Sequence, residues 1–301
     1  MMRSFLSEWV KLGRLRQLLS VWGVMAGLMV LFTGLIFASA GAPPPPPAAC
    51  SPATDGTFDQ AACAAAIAKA QQSAARKGPL VPTSTLEAPD GLSFGLSVAG
   101  NILGIVSLVL FAGNLAGEYS NGTLKILLSR QPRRLTLLTG KVAALFSFAV
   151  LGVLLAATAE VVTSLAIGAA RGLDLSAWGT AGAIGDLLAG VARLALATLA
   201  WGTLGGLLAV LLRSGPAAIG LGIGYVLVGE GLLGLALPDV VRYMPGQVIS
   251  AFVAGGKASS FSQSSAATPL AFGTAALLML VYVLVFLGVA GAVFRTRDVA
   301  T

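Results

Sequence analysis

Six apolar runs, each long enough to cross a bilayer, alternate with polar segments along this 301-residue chain. They cover about 18–40, 93–116, 142–167, 186–212, 217–237 and 269–294. A helix of about 20 apolar residues spans the ~30 Å hydrocarbon core. No water is available there, so the backbone must satisfy its own hydrogen bonds, which a helix does. The pattern predicts an all-α integral membrane protein, a single transmembrane domain over residues 1–301 with six transmembrane helices. Residues 1–18 place Phe5, Leu6, Trp9, Val10, Leu12 and Leu15 among Arg3, Lys11, Arg14 and Arg16. That is an amphipathic helix suited to the membrane interface. The run behind it is too long for a signal-peptide core and reads as a retained first span. Residues 41–92 form a large extracellular loop: a polyproline spacer at 43–47, then an Ala-rich helix over about 58–77 that Gly78-Pro79 stops. Residues 238–268 form a second outer segment. Its apolar part, 246–254, suits a short re-entrant helix or a surface loop about equally.

The polar stretch 117–141, GEYSNGTLKILLSRQPRRLTLLTGK, stands between two spans. Glu118 faces Lys125, Arg130, Arg133, Arg134 and Lys141 there. Basic residues beside spans collect on the cytoplasmic side because they resist translocation. Twelve of the 19 lysines and arginines fall in segments that six spans place inside, so both termini are read as cytoplasmic. Within the stretch, Asn121-Gly122 is a turn signal and Thr123 can start a helix. Leu124, Leu127 and Leu128 then share one helical face, and Pro132 ends it. The outcome is a short amphipathic helix whose apolar stripe must be buried by lipid or by another protein.

The spacing E-x-x-x-G-T-L-x-x-L-L-x-x-x-P-x-R-x-x-x-L-x-G-K falls on Glu118, Gly122, Thr123, Leu124, Leu127, Leu128, Pro132, Arg134, Leu138, Gly140 and Lys141. It resembles the loop after the second span in type-2 ATP-binding-cassette (ABC) exporter permeases of bacteria. The short E-W-x-K-L at Glu8–Leu12 resembles the entry helix of the same class. The resemblance implies that 117–141 carries the coupling helix, which docks on a separate ABC ATPase subunit. It implies a homodimer or a heterodimer with a second permease, seated in lipid in the bacterial cell membrane. Leu124, Leu127 and Leu128 would anchor the docking helix. Arg133 and Arg134 would position it, and Glu118 would tie its entry to the second span. ATP and Mg would be held by the partner, with no cofactor bound by this chain.

Composition narrows the chemistry. At 56% hydrophobic and 10% charged residues, a soluble domain is excluded. The chain has no histidine, which removes Ser-His catalysis and His-based metal or haem ligation. It also has no GxxxxGK[ST] phosphate loop, so it is read as a non-catalytic subunit. The net charge of +7 is explained by topology rather than nucleic acid, because no aromatic-interleaved basic patch accompanies it. Both cysteines, Cys50 and Cys63, lie in the 41–92 loop with twelve residues between them. An oxidising exterior favours a structural disulfide, the competing reading being two thiols.

Three ionisable residues fall inside spans: Glu160, Arg193 and Glu230. Such residues normally face a partner, a cavity or a pathway. Counting ~1.5 Å per residue puts Glu160 roughly 27 Å from the inner end of its span, at a depth similar to Arg193. A structural Glu160–Arg193 ion pair is the first expectation, with snorkelling to the surface as the second. Glu230, between Gly229 and Gly231, marks either a helix break over a cavity or the start of the re-entrant region. The overall expectation is a permease subunit that couples ATP hydrolysis elsewhere to export of a hydrophobic or amphipathic substrate. The alternative is an ATPase-independent secondary transporter or channel, with Glu160 and Glu230 as its ion-coupling candidates. An intramembrane hydrolase has no histidine or span lysine to activate a serine.

Overall fold

A computed structural model describes residues 90–120, 134–172, 175–255 and 270–296, together with positions 9, 23, 27, 28, 30, 31, 33–35 and 63. All regular elements among the described residues are helical. The long ones are α1 (Asp90–Ser120), α2 (Arg134–Ala170) and α3 (Ala181–Leu212). Then come α4 (Gly215–Gly224), a π-helical turn (Tyr225–Gly229) and α5 (Glu230–Ala236), which run on as one rod. Two short helices follow, α6 (Pro238–Val241) and α7 (Pro245–Val253), and α8 (Phe272–Thr296) closes the described chain. Five rods are long and apolar enough to cross a membrane: those of α1, α2, α3, α4–α5 and α8. The protein is thus an α-helical membrane protein. The described positions of the first apolar run, among them Gly27, Val30 and Thr33, are helical too, and the rest of that run lies outside the described residues.

The helices extend further than hydropathy predicts, and this corrects the boundaries of the polar stretch. Residues 117–120 complete α1 and residues 134–141 form the first two turns of α2. Only 121–133 separates the two helices, and it lies outside the described residues. The described part of the 238–268 segment, 238–255, contains two short helices. Residues 246–254 belong to α7 and its cap, which folds back on the bundle with Val248, Ile249, Ala251 and Phe252 buried. Phe252 stacks on Phe272 at the start of α8, ring centroids 5.4 Å apart. Between the two readings of 246–254, the helix is the one found.

Local chemistry sets the ends of α3. Thr180 is its N-cap, and its hydroxyl accepts the Ala183 N–H at 3.3 Å. At the other end Arg213 turns left-handed, φ 54°, and its N–H donates to the Ala209 carbonyl at 2.9 Å. Ser214 returns to extended backbone, and Pro216 sits in the first turn of α4, where its missing N–H does no harm. This produces a tight reversal between α3 and α4.

α3 is the central post, packed against α1, α2, α4, α7 and α8. Its seam with α1 is the tightest. A Cβ on Gly202 would come within 2.7 Å of the Phe111 ring, and one on Gly205 would strike the Leu108 carbonyl. Reciprocally, the Trp201 ring fills the space beside Gly104. Small residues here let backbones approach where no hydrophobic force between helices exists. Ser107 adds a hydroxyl bond to the Thr198 carbonyl across the seam, at 2.6 Å. On the outside, Leu277, Leu280 and Leu284 of α8 are 62%, 58% and 60% exposed, an apolar face fit for lipid.

Candidate functional site

The two residues that bracket the polar stretch meet in the structure. Glu118, in the last turn of α1, and Lys141, in the second turn of α2, form a buried ion pair. Their residues are 5% and 2% exposed, so the pair is shielded from water on all sides. Charge placed in such surroundings persists only when matched, and here one carboxylate matches one ammonium. The pair locks the end of α1 to the start of α2, so 121–133 leaves from and returns to one fixed base. Aromatic contacts widen that base. Tyr119 meets Phe294 of α8 edge-on at 6.4 Å, and Trp9 meets Phe148 of α2 edge-on at 6.5 Å. Trp9 is helical and half-buried, and the rest of 1–18 lies outside the described residues. Of the predicted coupling residues, Glu118 is therefore placed. Arg134 opens α2, and Gly122, Thr123, Leu124, Leu127, Leu128, Pro132 and Arg133 lie outside the described residues.

The intramembrane charges take partners other than those expected. Glu160 does not pair with Arg193. Its carboxylate accepts the Thr33 hydroxyl at 2.5 Å and the Ser164 hydroxyl at 3.2 Å. All three residues are buried, Glu160 at 1% exposed. The two side chains face different neighbours. Glu160 points at the first apolar segment, while Arg193 points along α3 toward Gly190 and the chain at Gly255. Because Thr33 supplies the only bond to Glu160 from outside α2 among the described residues, Thr33→Val is expected to destabilise the fold by about 1–3 kcal/mol. Thermal unfolding of the purified chain checks this, and an unchanged midpoint removes the cross-helix role.

Glu230 follows directly on the π-turn. The extra residue of that turn brings Tyr225, five positions back, beneath the carboxylate, and the Tyr225 hydroxyl donates at 2.6 Å. The same oxygen accepts the Gly246 N–H at 2.6 Å, and Gln247 Nε2 reaches the other oxygen at 3.5 Å. The carboxylate therefore caps the first turn of α7, whose N–H groups have no partners inside the helix. A Cβ on Gly246 would collide with it. Glu230 thus ties α5 to the start of the folded-back helix. Close by, the Tyr282 hydroxyl of α8 donates to the Tyr243 carbonyl at 2.6 Å, and the Arg242 guanidinium lies over the Tyr243 ring. Thr33, Ser164, Tyr225 and Tyr282 were not singled out from sequence. The one available signal was the position of Ser164 one turn beyond Glu160.

Cys63 is buried at 8% exposed, and Cys50 lies outside the described residues. A family model described as a protein of unknown function (DUF2705) matches residues 83–300. No curated protein matches the chain.

Proposed function

We propose that this chain, which belongs to the DUF2705 family of proteins of unknown function, is the membrane-spanning subunit of an ATP-driven exporter. The observation that carries the reading is the buried Glu118–Lys141 pair. These are the first and last residues of the permease-like motif, and they bolt together the two helices from which 121–133 projects. A segment held on such a base transmits a push at its tip to α1 and α2 together. Packed helices respond to that push by switching arrangement rather than bending. α3, packed on both, passes the movement to α4, α7 and α8.

In this reading the chain has six spans with both termini in the cytoplasm of a bacterium, and the helix at about 123–129 docks on a separate ABC ATPase. That partner holds ATP and Mg. Two permease subunits, identical or not, enclose the path, and Cys50–Cys63 staples the outer loop. The apolar outer faces and scarce intramembrane charge suit a hydrophobic or amphipathic cargo. Leu127→Asp with Leu128→Asp is expected to abolish stimulation of the ATPase and co-purification with it, while membrane insertion persists. Unchanged stimulation by the double variant would sink the docking claim.

A second reading, an ATPase-independent transporter, is favoured by one feature, the Thr33–Glu160–Ser164 cluster, a carboxyl group enclosed in apolar surroundings. Transport by the purified chain alone in vesicles, driven by a proton or sodium gradient, selects that reading over the first.

A further inference from the structure

Two of the three intramembrane charges converge on one short helix from opposite ends. Glu230 meets α7 at its start, through the Gly246 N–H and the side chain of Gln247. Arg193 meets it at its finish. There the helix ends on Ala254, and Gly255 turns left-handed at φ 68° with its N–H on the Phe252 carbonyl. The Arg193 guanidinium occupies the space that a Cβ on Gly255 would need, just as the Glu230 carboxylate occupies the space beside Gly246. Each end of α7 therefore has a glycine where a charged side chain presses against the backbone.

The signs are those that the helix dipole demands. Aligned peptide units leave the N-terminus of a helix partly positive and the C-terminus partly negative. An anion stands at the first and a cation at the second. Neither ionisable group pairs with another among the described residues, since the one ion pair there joins Glu118 and Lys141. In surroundings poor in water the attraction between a charge and a helix end is weakly screened, so it acts without a direct N–H···O bond. Arg193 illustrates this: its Nε is buried without a hydrogen-bond acceptor.

We propose that Glu230 and Arg193 are the positioning residues of α7, opposite charges set against opposite ends of its dipole that fix its depth and direction in the bundle. The middle of α7 is held by the buried Val248, Ile249 and Phe252. The charged ends supply the register. α7 is then a helix seated from both ends. This inference stands on α7 and its neighbours and does not rest on the exporter reading.

The test is hydrogen exchange at the backbone amides of 248–254 in the full chain in lipid nanodiscs, with the amides of 197–210 in α3 as internal control. Arg193→Gln removes the charge, and exchange at 248–254 is expected to rise at least tenfold with α3 unchanged. Arg193→Lys restores a cation and is expected to stay within twofold of wild type. Equal exchange in Arg193→Gln and wild type overturns the proposal, as does equal exchange in the Gln and Lys variants. If Arg193→Gln also releases α3, Glu230→Gln decides alone, because it loses the charge and keeps the one acceptor oxygen that Tyr225 and Gly246 share. It must raise exchange at 248–250 at least tenfold, and wild-type exchange there overturns the proposal.

Discussion

Lys141→Ala is expected to destabilise the protein by about 3–5 kcal/mol, because it removes the ammonium that pairs with the buried Glu118 carboxylate. Glu118→Ala is expected to act similarly in reverse. The double replacement Glu118→Leu with Lys141→Met should be far milder, since removing both charges removes the desolvation cost along with the attraction. Thermal or denaturant unfolding of the purified chain separates the cases. A double variant as damaged as the singles would show that the side-chain shapes, not the charges, hold α1 to α2. The functional readout is expected to part from the stability readout. On the exporter proposal, the double variant is expected to keep a Tm close to wild type while its coupling to the proposed ATPase weakens, because its base is only packed and not paired.

The second large effect lies in the seam between α1 and α3. Gly205→Ala places a methyl group on the Leu108 carbonyl, a backbone atom that no rotamer change can move aside. Overpacking usually costs about 1–3 kcal/mol, and a contact with backbone belongs at the top of that range. Gly206→Ala is the control. Its new methyl would lie 3.7 Å from Leu115 Cδ1, an ordinary contact, and little change is expected. Unfolding midpoints of the two variants, measured side by side, check the prediction. Equal midpoints would mean that the helices separate without penalty and that the seam is looser than described.

Much of the architecture was legible because hydropathy and helix rise depend only on order along the chain. The spans at 142–167 and 186–212 appear as the cores of α2 and α3. Direction around the helix could not be read, since it depends on which neighbours pack where. Glu160 consequently went to Thr33, a residue 127 positions away whose hydroxyl carries no sequence signal of its own. The helical ends of the polar stretch stayed hidden for a related reason. Counted singly, Glu118 and Lys141 argue for water, whereas paired they neutralise each other and become part of the bundle interior. Met244-Pro245-Gly246 carries no clear helix signal of its own. Its use as the start of α7 follows only once the Glu230 carboxylate is seen against it.

The wide turn at Tyr225–Gly229 has a consequence for comparing this chain with its relatives. One residue more than a regular helix needs is absorbed there, and a single deletion in that window would let the rod straighten. Because the surplus residue is taken up by widening that one turn, the chain beyond it would keep its facing after such a deletion. The acid now at position 230 would still point at the neighbouring helix, with its tyrosine four positions back, about one regular turn away. Related sequences that are one residue shorter here should therefore keep that acid.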